Sequence, residues 1–239
     1  MVRLNTEDKK RGSMSDQSDG IQKRYLSFQQ FTAWLEECRE QKPPLHFASF
    51  ALQQRSASGE LLRRVQLPLI LHHEGIDSLK SLEEECDEPS YSALILLQAG
   101  RASLAIVKGD VILVSKQIQK YMVRKSQGKA QLTYLNQKGK SRLGSRIRLR
   151  QTEAFFEEIN EYLGAWARQY DVKTLFLSCT PRLKGAWFQS DPPFDKDDAR
   201  WRSVPFTVHP PKESEMQRIH WLLCRAIVEE INDQDFFEA

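Results

Sequence analysis

The chain of 239 residues is 40% hydrophobic and 28% charged, with a formal net charge of +3, the proportions of a soluble globular protein long enough to bury a sizeable core. No apolar run approaches the roughly 20 residues that span a bilayer, and no apolar stretch follows the N-terminus as in a secretory leader, so a cytoplasmic protein with no membrane partner is expected. Cys38, Cys86, Cys179 and Cys224 stand far apart and form no CxxC pair, and the five histidines are not clustered with them; this predicts reduced, buried thiols and no metal site.

In chain order, residues 1–20 hold almost nothing to bury and are expected to be a disordered tail. Ser27 reads as the N-cap of a helix to about Arg39, with Phe28, Phe31, Trp34 and Leu35 on one face, stopped by Pro43 and Pro44. Leu45 to Gln53 and Leu61 to Leu71 read as strands joined by a turn at Ser58 and Gly59, the second interrupted or at an edge because of Pro68. The acidic stretch from Glu83 to Glu88 reads as a linker or a helix end. Residues 21–90 thus form a helix-plus-hairpin region.

The texture changes at Tyr91. Three short apolar runs (Ala93 to Leu97, Ala102 to Val107 and Asp110 to Val114) are punctuated by Gly100 and Gly109, the pattern of an antiparallel meander. Gly128, Gly139 and Gly144 break any period after that, which predicts a long loop over residues 124–148. Thr152 is expected to cap a helix to Tyr170, with Phe155, Phe156, Ile159, Tyr162, Leu163 and Trp166 as its core stripe. Strands are expected at Thr174 to Ser178 and Val204 to Val208, and a last helix from Pro211 to Ile231. The fold class is α+β: a mixed sheet, meander plus further strands, with packed helices over residues 91–235.

The charge is distributed unevenly. From Val111 to Thr152 there is no Asp or Glu, while 11 of the 35 Lys and Arg residues fall there; the remaining 24 cations face 32 carboxylates, a balance of −8. A concentrated basic segment on an otherwise acidic body marks a docking place for a polyanion. Arg124, Lys125, Lys129, Lys138, Lys140, Arg142, Arg146 and Arg148 are its candidate RNA-binding residues.

Within this segment the residues from Tyr121 to Gln131 read Tyr-Met-Val-Arg-Lys-Ser-Gln-Gly-Lys-Ala-Gln. This resembles the catalytic loop of the ankyrin-repeat and zinc-finger peptidyl-tRNA hydrolases, with Tyr121, Val123, Arg124, Gly128, Ala130 and Gln131 on the family pattern. Gly144 and Arg148 continue the match, and a second block follows through Asp198, Arg200, Pro205, Pro211, Glu215, Gln217 and Arg218. The resemblance covers about Leu94 to Ile231. It implies the fold of the central domain of class I eukaryotic and archaeal release factors, which is ribonuclease-H-like. It further implies a monomeric peptidyl-tRNA hydrolase that needs no cofactor and rescues stalled complexes on the large ribosomal subunit. Two departures stand out: the loop reads Gly128-Lys129-Ala130-Gln131 where release factors have Gly-Gly-Gln, and the 239 residues hold no zinc finger or ankyrin repeat, which implies a stand-alone form.

The residue types suit that chemistry. Gln131 offers an acceptor and two donors without charge, Gly128 permits a close approach of backbone to an RNA end, and the cations hold register on phosphates. Tyr121 is expected to anchor the loop. No Asp, Glu or His stands nearby in sequence as a general base, so positioning is expected to supply the catalysis. Either the ester of peptidyl-tRNA or a phosphodiester near the tRNA 3′ end fits as the bond broken. The alternative class is a non-catalytic protein that docks on rRNA or tRNA with the same surface. A metal-dependent nuclease fails for want of carboxylates near the basic loop. Asp198 with Arg200 is expected to be a structural ion pair, and Trp187 and Trp201 to be packed rather than stacked on bases.

Overall fold

A computed structural model describes residues 15–18, 21–38, 44–48, 51–120 and 140–231. The chain divides into two compact units: residues up to Pro89 together with those from Trp221 onward, and Ser90–His220.

The first unit is a six-stranded antiparallel sheet in the order β1-β2-β11-β5-β4-β3. Its strands are β1 (Ser15–Ser18), β2 (Ile21–Leu26), β3 (Leu45–Ala48), β4 (Ala51–Arg55), β5 (Leu61–Gln66) and β11 (Ala226–Ile231). Helix α1 (Phe28–Glu37) starts where expected: the Ser27 side chain accepts from the Gln30 N–H while the Gln30 side chain accepts from the Ser27 N–H, so two orphan donors are satisfied reciprocally. Phe28, Phe31, Trp34 and Leu35 are its buried face. The acidic stretch proves to be helix α2 (Leu79–Asp87), capped by Ser78 and held in place by buried Leu82 and Cys86.

Three expectations are corrected in this unit. Leu45 to Gln53 is two strands, since β3 turns back on β4 with Ala48 opposite Ala51. Ser15–Ser18, read as tail, pairs with β2 through its backbone, which needs no apolar side chain. The last helix does not reach Ile231: it ends at Leu223, and β11 inserts between β2 and β5. The apolar residues from Ala226 to Ile231 fit either period, and pairing on both sides makes the strand.

The second unit holds a five-stranded mixed sheet, β10-β9-β6-β7-β8. The meander is β6 (Tyr91–Gln98), β7 (Arg101–Lys108) and β8 (Val111–Gln119). Gln98 faces Arg101 and Lys108 faces Val111, so each turn has two residues. Gly100 and Gly109 adopt φ of 76° and 54° there, a region that disfavours side chains. β9 (Val172–Ser178) and the short β10 (Trp201–Ser203) add in parallel. The observed β10 lies a few residues before the expected strand.

Helices α3 (Lys140–Gln169), α4 (Pro181–Phe188) and α5 (Glu213–Leu223) complete the unit, which ends within α5 at His220. One face of the sheet carries a core of Ala93, Ile95, Leu104, Ile106, Phe155, Ile159, Leu163 and Trp187, among others. Leu94, Leu96, Ala105 and Val107 on the opposite face are also buried. Burial on both faces explains why β6 and β7 read as continuous apolar runs instead of alternating. Trp187 is fully buried and donates to Asn160 Oδ1 at 2.8 Å, while Trp201 packs edge-on against it; both belong to the core, as expected. This mixed sheet with packed helices is the expected α+β architecture.

Candidate functional site

The basic segment leaves the sheet at the end of its edge strand. Lys120, just past β8, donates its N–H to the Gly100 carbonyl at 2.9 Å, and its Nζ lies 2.7 Å from Glu158 Oε2 on α3. One turn further along that helix, the ring centroid of Tyr162 lies 4.6 Å from Lys116 Nζ. The hydrogen bond to Tyr162 raises the Lys116 pKa, with a smaller contribution from the charge of Glu158. Glu158 and Tyr162 stand four apart, so one face of α3 presents both. Two of the eleven cations therefore tie the loop base to the domain. Sequence reasoning counted them with the others and missed their partners, because Glu158 and Tyr162 belong to a helix that reads as core.

The structure separates the predicted site residues into two groups. Tyr121, Arg124, Lys125, Gly128, Lys129, Gln131 and Lys138 lie outside the described residues. Lys140, Arg142, Arg146 and Arg148 lie on α3, which begins at Lys140 and not at Thr152. The expected loop to residue 148 is thus helical in its last part. Arg, Lys and Leu are good helix formers, and the single Gly144 costs only about 1 kcal/mol against Ala. Gly144 and the density of Arg and Lys hid this extension, although Leu143 and Ile147 stand one turn apart. Of the α3 residues whose burial is described, Arg150 to Ala154 are exposed or half-buried and Phe155 is buried. From Lys140 to Phe155 the helix rises roughly 22 Å. Positions 142, 146 and 150 share one face of it by their spacing of four.

The second sequence block has a different role. The Arg200 guanidinium donates to both Asp198 carboxylate oxygens, with its Nη2 2.7 Å from Oδ2, and its Nη1 donates to the Val172 carbonyl at 2.7 Å. It staples the start of β9 next to β10, the sheet edge opposite β8, which precedes the basic segment. Four strand spacings separate those edges, roughly 19 Å. Glu215 is buried and accepts from Arg218 Nε at 2.9 Å and Nη2 at 2.7 Å, and from the His209 N–H at 2.7 Å. Arg218 also donates to the Thr207 carbonyl at 2.6 Å. These bonds hold both carboxyl groups below the usual carboxylate range, Asp198 through Arg200 and Glu215 through Arg218. Both pairs are clamps on the irregular segment before α5. The Asp198–Arg200 pair is structural, as expected.

His220 is buried, and its Nε2 lies 2.9 Å from the Gly109 carbonyl, which can only accept; burial lowers its pKa. It fixes the turn between β7 and β8. Among the described residues no three His, Cys, Asp or Glu side chains converge as metal ligands would. No helix among them is long and apolar enough to cross a membrane.

The second unit falls within the span of a known family. The family model of the Bacteroidetes VLRF1 release factor matches residues 92–231, which is more than half of the chain and includes the loop, α3 and both clamps. The chain belongs to this release factor family. Membership places the protein in translation. Among curated proteins it is similar to the tRNA endonuclease vms-1 of Caenorhabditis elegans, at 25% identity over 151 residues. That match takes in 62% of this chain and 24% of the worm protein, so the chain spans about a quarter of that relative's length. Among solved structures it is similar to the Vms1 mitochondrial localization core, at 16% identity with a TM-score of 0.43, over 83% of this chain and 80% of that one.

Proposed function

We propose that this VLRF1-family protein is a peptidyl-tRNA hydrolase of ribosome rescue, acting in the cytoplasm as a monomer on stalled complexes of the large subunit. The observation that carries the reading is the match of the release factor family across residues 92–231, a span that contains Gly128 to Gln131. The described residues on either side of that stretch support it. At one end Lys116 and Lys120 fix the loop base to α3. At the other end α3 begins at Lys140, roughly 22 Å along its axis before Phe155. Arg142, Arg146 and Arg150 repeat at i, i+4 and i+8 without a carboxylate between them. Like charges at that spacing repel, and phosphates would relieve the repulsion.

In this reading Gln131 positions a water against the ester carbonyl carbon and donates to the developing oxyanion. The water oxygen bonds to that carbon, the bond to the ribose oxygen breaks, and the ribose oxygen takes up a proton. The peptide leaves as a carboxylate. Gly128 lets the backbone approach the RNA end, Tyr121 anchors the loop, and Arg124, Lys125 and Lys129 hold the acceptor-stem phosphates together with Lys138 and the α3 cations. No cofactor enters the scheme.

A second reading, cleavage of a phosphodiester near the tRNA 3′ end, is favoured by the activity for which the worm relative is named, a tRNA endonuclease. Stalled complexes carrying labelled peptidyl-tRNA separate the two. Ester hydrolysis leaves a peptide with a free carboxylate and full-length tRNA. Phosphodiester cleavage leaves the peptide on a short nucleotide remnant and a shortened tRNA. Binding with no peptide freed would overturn both and leave an RNA-binding protein.

A further inference from the structure

The six-stranded sheet of the first unit has one covered face and one open face. Cross-strand register places Leu26, Leu52, Val65, Ala226 and Val228 together, all at most 6% exposed. The opposite face presents Lys23, Tyr25, Arg64, Gln66, Ile227 and Glu229, all half-buried or exposed. At one end of this open face stands a three-layer stack. The Arg225 guanidinium carbon lies 4.9 Å from the Tyr25 ring centroid and 4.6 Å from that of Trp221. Arg225 Nε is buried without a hydrogen-bond partner, so the guanidinium is held by its two rings. Trp221 is 48% exposed, the large indole left in water. With Tyr25 and Arg225 it forms an aromatic and cationic cluster whose outer indole is open to a ligand.

On this face Lys23, Arg64 and Arg225 are cationic. Glu229, opposite Arg64, is engaged by Lys23 at 3.1 Å and by Gln66 at 3.3 Å, and position 16 of β1, an Asp, stands opposite Lys23, so at these positions three cations meet two carboxylates. An antiparallel sheet face with an aromatic platform and a net positive charge has the chemistry that recognises unpaired bases and their phosphates. We propose that the open face of this sheet binds a single-stranded RNA segment, with a base stacked on the side of Trp221 away from Arg225 and phosphates near Arg64 and Lys23. The proposal rests on the functional reading above only in supposing that RNA is at hand. It assigns the first unit a grip on RNA separate from the loop.

The test uses the full chain and a short, fluorescein-labelled single-stranded RNA of mixed sequence, followed by anisotropy. It is run in the Lys138→Ala, Lys140→Ala, Arg142→Ala background, so that the loop and α3 contribute little. Trp221→Ala should weaken binding about 5- to 150-fold, the usual loss for one base–aromatic stack. Arg64→Glu, an exposed change that spares the stack, should also weaken it. Addition of RNA should quench tryptophan fluorescence, and Trp221→Phe should abolish most of that quenching while keeping part of the affinity. Unchanged affinity in Trp221→Ala and Arg64→Glu, no RNA binding in this background, or equal binding of duplex RNA would each overturn the proposal. Peptide release is scored separately, so loss of oligonucleotide binding with release intact would sink the platform and spare the hydrolase.

Discussion

Glu215 is the one buried carboxylate among the described residues, and its removal measures what the second sequence block does. It is 6% exposed and accepts three hydrogen bonds, two from Arg218 and one from the His209 N–H. Glu215→Ala strands that N–H, at about 1–3 kcal/mol. It also leaves the Arg218 guanidinium without its carboxylate. Breaking a fully buried pair costs about 3–5 kcal/mol, but the Arg218 side chain is 38% exposed and can turn to water. The net loss should be about 2–4 kcal/mol, which in a chain of this size lowers Tm by about 4–16 °C. Glu213→Ala, in the same turn of α5 but exposed, should cost less than about 1 kcal/mol. Urea denaturation followed by tryptophan fluorescence makes the comparison. Where still folded, the Glu215→Ala protein should release peptide at the wild-type rate. Equal stability of the two variants would refute the clamp, and loss of release in a folded Glu215→Ala protein would move this block into the catalytic machinery.

Two further outcomes are expected. Burial depresses the His220 pKa, so the unfolded chain binds the extra proton first. That contribution is complete above the unfolded value of about 6.5 and is lost as pH falls from there toward the lower folded value, by at most about 1.4 kcal/mol per pH unit. His220→Gln should flatten the slope in that window; an identical slope would show that another group titrates. For the basic segment, the observed slope of log K for ribosomal RNA against log salt should flatten by about two to three units in the Lys138→Ala, Lys140→Ala, Arg142→Ala protein. An unchanged slope would remove this segment from the RNA contact.

Much of the second unit is legible from short-range signals. Gly100 and Gly109 mark turns because a positive φ needs glycine, and the runs between them match β6, β7 and β8. Helix α1 is announced by Ser27 and Gln30. Tertiary pairing hid the rest. Nothing local tells that Ala226–Ile231 leaves the helical period, since β2 and β5 decide it from opposite ends of the chain. The start of α3 was hidden because Gly144 and the crowded cations outweighed the apolar pair Leu143 and Ile147, one turn apart. The basic segment was visible as a charge pattern, but Glu158 and Tyr162 at its base were not, because their partners Lys116 and Lys120 lie on a different element. The stack of Tyr25, Arg225 and Trp221 likewise joins two ends of the chain that only the fold brings together.

The central claim is that Gln131 carries the chemistry while its cationic surroundings carry the binding. Single-turnover release of labelled peptide from stalled complexes, with binding followed in parallel, tests both halves for the wild-type and Gln131→Ala proteins. Loss of one well-placed donor should slow release about 10²–10³-fold, with affinity unchanged because an uncharged side chain adds nothing to counterion release. Wild-type release by Gln131→Ala would contradict the account.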